Sequence, residues 1–201
     1  MKNFFARQWA ERVAPERPVF LPVILGTNRK GRLSAHAAHH VLDVLKRRPD
    51  ATTELIDVAD FDFPKDDYGT STKGLFPTYV DVASRADGFV IVSPEYNHGY
   101  SGRLKTLLDT LLPEYNRKAA GIVSVSSGQW GGVRMIESLV PVLRELGLVV
   151  SGVDLQFPLA GDAFFSSGEP RDVKYRERTE HFVNELVWLA QALRRGRESA
   201  A

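Results

Sequence analysis

The chain has no cysteine among its 201 residues. Disulfides, thiolate catalysis and cysteine-bound metals are thereby excluded. It also lacks an excess of either charge, with 26 basic residues against 25 acidic ones and a formal net charge of +1. A nucleic-acid binder driven by bulk positive charge is not expected from that balance. No apolar run approaches the roughly 20 residues that would span a bilayer, so no membrane partner is expected. The first 18 residues mix Phe4, Phe5 and Trp9 with Arg7, Glu11 and Arg12 and lack the apolar core of a secretory signal. Glu11 and Glu16 are out of place in an acid-poor transit sequence. The expected compartment is the cytoplasm. Internal repeats, low-complexity tracts and a dividing linker are also lacking. The organisation expected is an arm over 1–18 and one domain over 19–201 that includes a long C-terminal helix.

What the chain does contain is organised around Phe89 to Asp109. An apolar, β-branched run ends at Pro94, and Glu95-Tyr96-Asn97-His98-Gly99 forms a polar, aromatic turn. A run of this kind suits a strand buried on both faces, as in a parallel sheet. Beyond the turn Ser101 is placed to cap a helix whose apolar face is Leu104, Leu107, Leu108 and Leu111. A strand, an exposed loop and then a helix is where open α/β sheets hold ligands.

Taken in order, Val19 to Leu25 is a first strand, with its paired part after Pro22 or with a bulge there. The polar loop Gly26 to Arg32 leads to a helix from about Leu33 to Arg47, stopped by Pro49. Glu54 to Val58 reads as a second strand, and Asp60 to Pro77 as a long surface loop. A short helix over Thr78 to Ala86 precedes the central strand. Ala119 to Val125 is a fourth strand, followed by the loop Ser126 to Gly132 with its three glycines and Trp130. A helix over Val133 to Leu146, a fifth strand within Leu148 to Phe157, and a final helix over Asp172 to Arg195 complete the pattern. Alternation of this kind predicts an α/β fold of three layers, a five-stranded parallel sheet with helices on both faces. The flavodoxin-like strand order 2-1-3-4-5 is the natural choice. In that order strands 1, 3 and 4 are neighbours, so their three unusual loops would meet around one ligand.

Each motif has an ordinary alternative. Gly26 to Arg32 nearly spells a nucleotide-hydrolase phosphate loop, but Arg32 stands in place of the lysine and Leu33 in place of the magnesium-binding hydroxyl. It does not match the G-x-G-x-x-G dinucleotide fingerprint either. What remains is an anion site at a helix N-terminus, made of Thr27, Arg29, Arg32 and Ser34, against the alternative of a solvated basic loop. His36, His39 and His40 invite a metal reading, but they lie opposite the apolar stripe of their helix, and a solvated face is the preferred reading. Ser101 fails the G-x-S-x-G nucleophile pattern because Arg103 replaces the second glycine. The glycines of Ser126 to Gly132 let a backbone approach a flat ligand, or serve only tight strand-to-helix packing.

Pro94-Glu95-Tyr96-Asn97, with Leu104-Lys105 and Asp109 downstream, closely resembles the P-E-Y-N…L-K…D signature of the NADPH-dependent FMN reductases. That family includes quinone, azo-dye and chromate reductases. Gly26 to Ser34 resembles its phosphate loop, and Ser127-Gly128 with Gly131-Gly132 its third flavin contact. The resemblance covers about Val19 to Phe157. Ser101 stands where many members have proline, and Arg32 where others have a small hydroxyl residue.

The resemblance implies an FMN-binding, NADPH-using oxidoreductase with a quinone, flavin or azo compound as acceptor. Thr27, Arg29, Arg32 and Ser34 would hold the flavin phosphate. Pro94, Glu95, Tyr96 and Asn97 would edge the flavin ring, mainly through backbone groups, and Ser127 and Gly128 its far side. Hydride would pass from nicotinamide to the flavin and on to the acceptor by ping-pong kinetics, with no obligatory protein acid or base. The matching Leu104, Lys105 and Asp109 imply a homodimer or homotetramer. A flavodoxin-type electron carrier is the runner-up, but it would show a T-x-T-G-x-T loop and an acidic surface, which this chain lacks. A flavin-based redox-sensing partner protein is the third option.

Overall fold

Pro22 cannot donate to a sheet ladder, and in the computed structural model it divides the first strand into β1 (Val19–Phe20) and β2 (Val23–Leu25). The structure describes residues 17–64 and 72–200. The expected N-terminal arm up to residue 16, and the middle of the loop over 60–77, lie outside the described residues. Among the described ones the strands continue with β3 (Ala51–Thr52), β4 (Leu55–Asp57), β5 (Gly88–Pro94), β6 (Ala119–Val125), β7 (Val149–Val150) and β8 (Leu155–Phe157). The helices are α1 (Ser34–Lys46), α2 (Thr72–Leu75), α3 (Pro77–Arg85), α4 (Gly102–Leu108), α5 (Val133–Glu145), α6 (Ala160–Ala163) and α7 (Lys174–Ser199).

Of the five expected strands the central two form whole, as β5 and β6, while among the described residues the others are short or divided. β1 pairs with β3, while the larger sheet runs β4-β2-β5-β6-β7 with β8 also on β6. Every ladder is parallel. The run expected as a fifth strand breaks between Ser151 and Asp154, and both of its halves pair with β6. The residues before Pro22 are also paired, Val19 with Ala51 and Phe20 with Thr52, in a two-stranded sheet of their own.

The sheet is buried on both faces. Along β5, Val90 and Val92 join one apolar cluster under α1 and α7, whereas Phe89 and Ile91 join another under α3, α4 and α5. This is the period-two alternation of a strand, with both faces apolar because both are covered. α7 lies so close to β6 that a Cβ at Gly121 would sit 2.7 Å from Phe182 Cζ. At the amino end of β5, the fully buried Asp87 accepts from Arg17, Arg194, Arg197 and the Phe20 amide. Both ends of the described chain are thereby tied to the sheet, opposite the edge that carries the ligand loops.

The histidine face of α1 is covered, not solvated as expected. The His36 ring packs 5.5 Å from that of Phe164, and His40 Nε2 lies 3.0 Å from Thr179 Oγ1. Thr179 donates its own proton to the Tyr175 carbonyl, so it accepts from a protonated His40 Nε2. Only His39 is exposed. Burial lowers the His40 pKa below 6.5, with Arg47 and Arg176 adding to the effect, while the Tyr175 backbone and Asp43 oppose it. The folded state therefore disfavours the doubly protonated, charged ring more than the unfolded one does, while the neutral ring keeps its Nε2 proton on Thr179. His40 favours folding fully above pH 6.5, and that contribution is lost as the pH falls below it. Thermal midpoints taken from about pH 7.5 down to about pH 5 should fall in the wild type and fall less steeply in His40→Gln. Equal slopes would remove His40 as the source.

Candidate functional site

Three loops leave the carboxyl edge of the sheet side by side, after β2, β5 and β6. The first begins at Gly26, whose amide continues the ladder to the Val92 carbonyl at 2.8 Å. A Cβ there would meet Val92 O at 3.0 Å and Leu104 Cδ2 at 3.1 Å, so the loop passes close under the next strand. Thr27 is buried, and its Oγ1 accepts from the Arg29 amide at 3.3 Å and lies 3.0 Å from the Tyr96 hydroxyl. That contact joins the first loop to the second. The Arg29 guanidinium lies over the Tyr96 ring, 5.8 Å from its centroid.

α1 then starts with Leu33 in the N-cap position, where no side chain bonds the helix amides. Ser34, the first helical residue, is 2% exposed, and its hydroxyl is buried without a hydrogen-bond partner. A buried orphan hydroxyl costs about 1–3 kcal/mol unless something else satisfies it. It sits at the positive end of a 13-residue helix, directly after the loop that carries Thr27 and Arg29. The donor set fits a phosphate group.

Arg32, the fourth expected anion contact, is already engaged. Its two terminal nitrogens bond the Asp57 carboxylate, one at 2.7 Å, and it also donates to the Thr27 carbonyl. Asp57 is a residue that sequence reasoning missed. The available signal was an acid at the end of a strand neighbouring the basic loop.

The second loop is a tight hairpin in which Tyr96 and Gly99 exchange both backbone hydrogen bonds, at 2.8 and 3.0 Å. Asn97 (φ 50°) and His98 (φ 67°) are both left-handed, as a two-residue turn of this kind demands. Pro94 is buried as the last residue of β5. The Glu95 carboxylate points to α5, accepting from the Met135 amide at 3.4 Å with Arg134 at 4.0 Å. It thus serves as an acid at a helix N-terminus. Ser101 caps α4 by accepting from the Leu104 amide at 3.1 Å, as its position in the sequence suggests, and donates to the Gly26 carbonyl. Lys105 and Asp109 form an ion pair within the helix at 2.6 Å.

The third loop is shaped by Gly131 (φ 62°) and Gly132 (φ 89°). At Gly132 a Cβ would lie 2.9 Å from that of Ser124, so both the conformation and the space demand glycine. Ser127 and Gly128 are exposed, and the loop is held by Ser126 and Gly128 carbonyls accepting from Ala160 and Leu159. The structure thus joins Thr27, Arg29 and Tyr96, starts α1 at Ser34 just after that loop, and leaves Ser127 and Gly128 on a separate, neighbouring loop. Among the described residues no group of three or more His, Asp or Glu is gathered to hold a metal.

The family model for NADPH-dependent FMN reductase matches residues 21–160, which include all three loops. The chain belongs to that family. An NAD(P)H-dependent FMN reductase of Schizosaccharomyces pombe is 35% identical over 119 residues, covering 55% of this chain and 58% of that relative. An NADPH azoreductase of a Bacillus species is 29% identical over 144 residues, covering 70% and 76%. Among solved structures, an NADH:FMN oxidoreductase in its apo form aligns with a TM-score of 0.67 and 26% identity over 82% of this chain and 88% of that one. The fold is flavodoxin-like. As a member of the FMN reductase family the chain is an NAD(P)H-dependent flavin oxidoreductase, with FMN and NADPH as its cofactor and reductant.

Proposed function

We propose that the three loops bind FMN and serve hydride transfer from NADPH to a quinone, flavin, azo or similar acceptor, by ping-pong use of one groove. The observation that carries this reading is the unpaired, buried Ser34 hydroxyl at an uncapped helix N-terminus. Thr27, Arg29 and Ser34 take the phosphate there. Pro94, Glu95, Tyr96 and Asn97 flank the ring through backbone groups, and Ser127 with Gly128 borders it from the neighbouring loop. Bound FMN supplies the hydride chemistry, accepting from nicotinamide and donating to the acceptor. The chain's residues bind, orient and shield. Thr27 is fixed by its contact with Tyr96, so the phosphate loop and the hairpin keep one spacing.

We place the protein in the cytoplasm as a homodimer or homotetramer. Exposed Leu112, just beyond α4, offers an apolar contact for a second copy beside the Leu104–Asp109 helix. Among the described residues no helix is long and apolar enough to cross a membrane.

The purified protein should release FMN on denaturation, and anaerobic NADPH should bleach its flavin absorbance within the dead time of manual mixing. Sedimentation of the same sample should give a mass at least twice the 22.4 kDa of one chain. A flavin that stays oxidised under NADPH would assign the protein to the carrier class instead.

A further inference from the structure

We infer that Asp57 is a positioning residue for the phosphate loop, acting through Arg32, an inference that rests on the FMN reading above. Asp57 ends β4, in register with Leu25 at the end of β2, where the loop begins. Its Oδ1 lies 2.7 Å from one terminal nitrogen of Arg32, and its Oδ2 bonds the other. Both side chains are mostly buried, at 15% and 19% exposure. Such a two-pronged carboxylate–guanidinium pair fixes orientation as well as distance.

The same Arg32 nitrogen that meets Oδ1 also donates to the Thr27 carbonyl. One guanidinium therefore closes the stretch from Thr27 to Arg32 and staples it to the neighbouring strand. Between those ends Asn28, Arg29, Lys30 and Gly31 are exposed, and Gly31 has φ 70° with open space around it. A polar, glycine-containing segment of this kind has little packing to hold it. The staple supplies that order, keeping Thr27 Oγ1 between the Arg29 amide and the Tyr96 hydroxyl.

The pairing also decides the charges. The Arg32 cation is balanced by Asp57, so the phosphate charge falls to Arg29 and the α1 N-terminus. The sequence placed both Arg29 and Arg32 in the anion site, with Arg29 as the principal charged contact. The geometry separates them into a ligand and a brace.

The test compares FMN with riboflavin, which lacks the phosphate, by fluorescence titration of folded protein. Asp57→Ala and Arg32→Ala should each weaken FMN about tenfold and riboflavin less than about twofold. Asp57→Glu, which keeps the carboxylate, should recover part of the loss. Asp57 Oδ1 also accepts from the Ala59 amide at 2.9 Å, but the staple is what the two changes share, so the double variant should bind FMN no worse than the weaker-binding single variant. Were Arg32 instead a phosphate ligand held back by Asp57, Asp57→Ala would bind FMN as tightly as wild type or more tightly, overturning the inference. Equal loss of FMN and riboflavin would overturn it too, since that marks general damage. A wild-type protein with no preference for FMN over riboflavin would instead remove the phosphate-site reading itself.

Discussion

Replacing Arg29 by alanine should weaken FMN binding by about 10- to 150-fold while leaving riboflavin binding almost unchanged. A charge-assisted hydrogen bond contributes roughly 1.5–3 kcal/mol, and about 1.4 kcal/mol is a factor of ten. The upper part of the range is the more relevant because Arg32 is neutralised by Asp57 and cannot substitute. The Arg29 side chain also lies over Tyr96, a cation–π contact worth about 0.5–1 kcal/mol at an exposed site. That contact is made within the protein whether or not a flavin is bound, so its loss does not separate FMN from riboflavin. The ratio of the two affinities isolates the phosphate contribution. Arg29→Lys should fall between, since it keeps the charge and loses the planar fork. An unchanged FMN affinity in Arg29→Ala would place the phosphate elsewhere, and the assignment of the first loop would go with it.

The layers of the fold were legible because alternation of strands and helices is written in local pattern. Ala119–Val125 is found with the bounds its apolar run suggests, and Ser101 caps α4 as its position suggests. The interruption at Pro22 was expected, but the break near Gly152 was harder to place. Whether a proline or glycine interrupts pairing depends on the partner strand, which lies far away in sequence. The candidate loops could be read from glycine and hydroxyl chemistry. The roles within them could not. Arg32 and Asp57 are separated by 25 positions, and nothing in either segment alone says that they meet. Glu95 likewise looks like a groove residue until α5 is seen to begin beside it. The histidine face of α1 was misread for the same reason, because its cover comes from a helix more than a hundred residues later.

The largest expected effect on stability lies at the other edge of the sheet. Asp87 is 1% exposed. It accepts two hydrogen bonds from Arg17, at 2.9 and 3.2 Å, one each from Arg194 and Arg197, at 3.3 and 3.0 Å, and one from the Phe20 amide at 3.0 Å. A single carboxylate thus compensates three guanidinium groups, and Arg194 is itself only 3% exposed. Removing one partner of a buried ion pair typically costs 3–5 kcal/mol, because the remaining charge loses its counter-charge in a poorly solvated place. Asp87→Asn keeps the shape and removes the charge, so it tests electrostatics with little change in packing. For a chain of this size about 2–4 °C is lost per kcal/mol, and a fall of about 6–20 °C in the thermal midpoint is expected. The α7 end carries two of the three arginines, so protease cleavage near Arg194 should accelerate in the same variant. FMN affinity of the folded variant should stay within about twofold of wild type, because Asp87 and the phosphate loop lie at opposite edges of the sheet. A midpoint lowered by less than about 2 °C would mean that solvent or other partners compensate the arginines, and that the carboxylate is not what holds the two chain ends to the sheet.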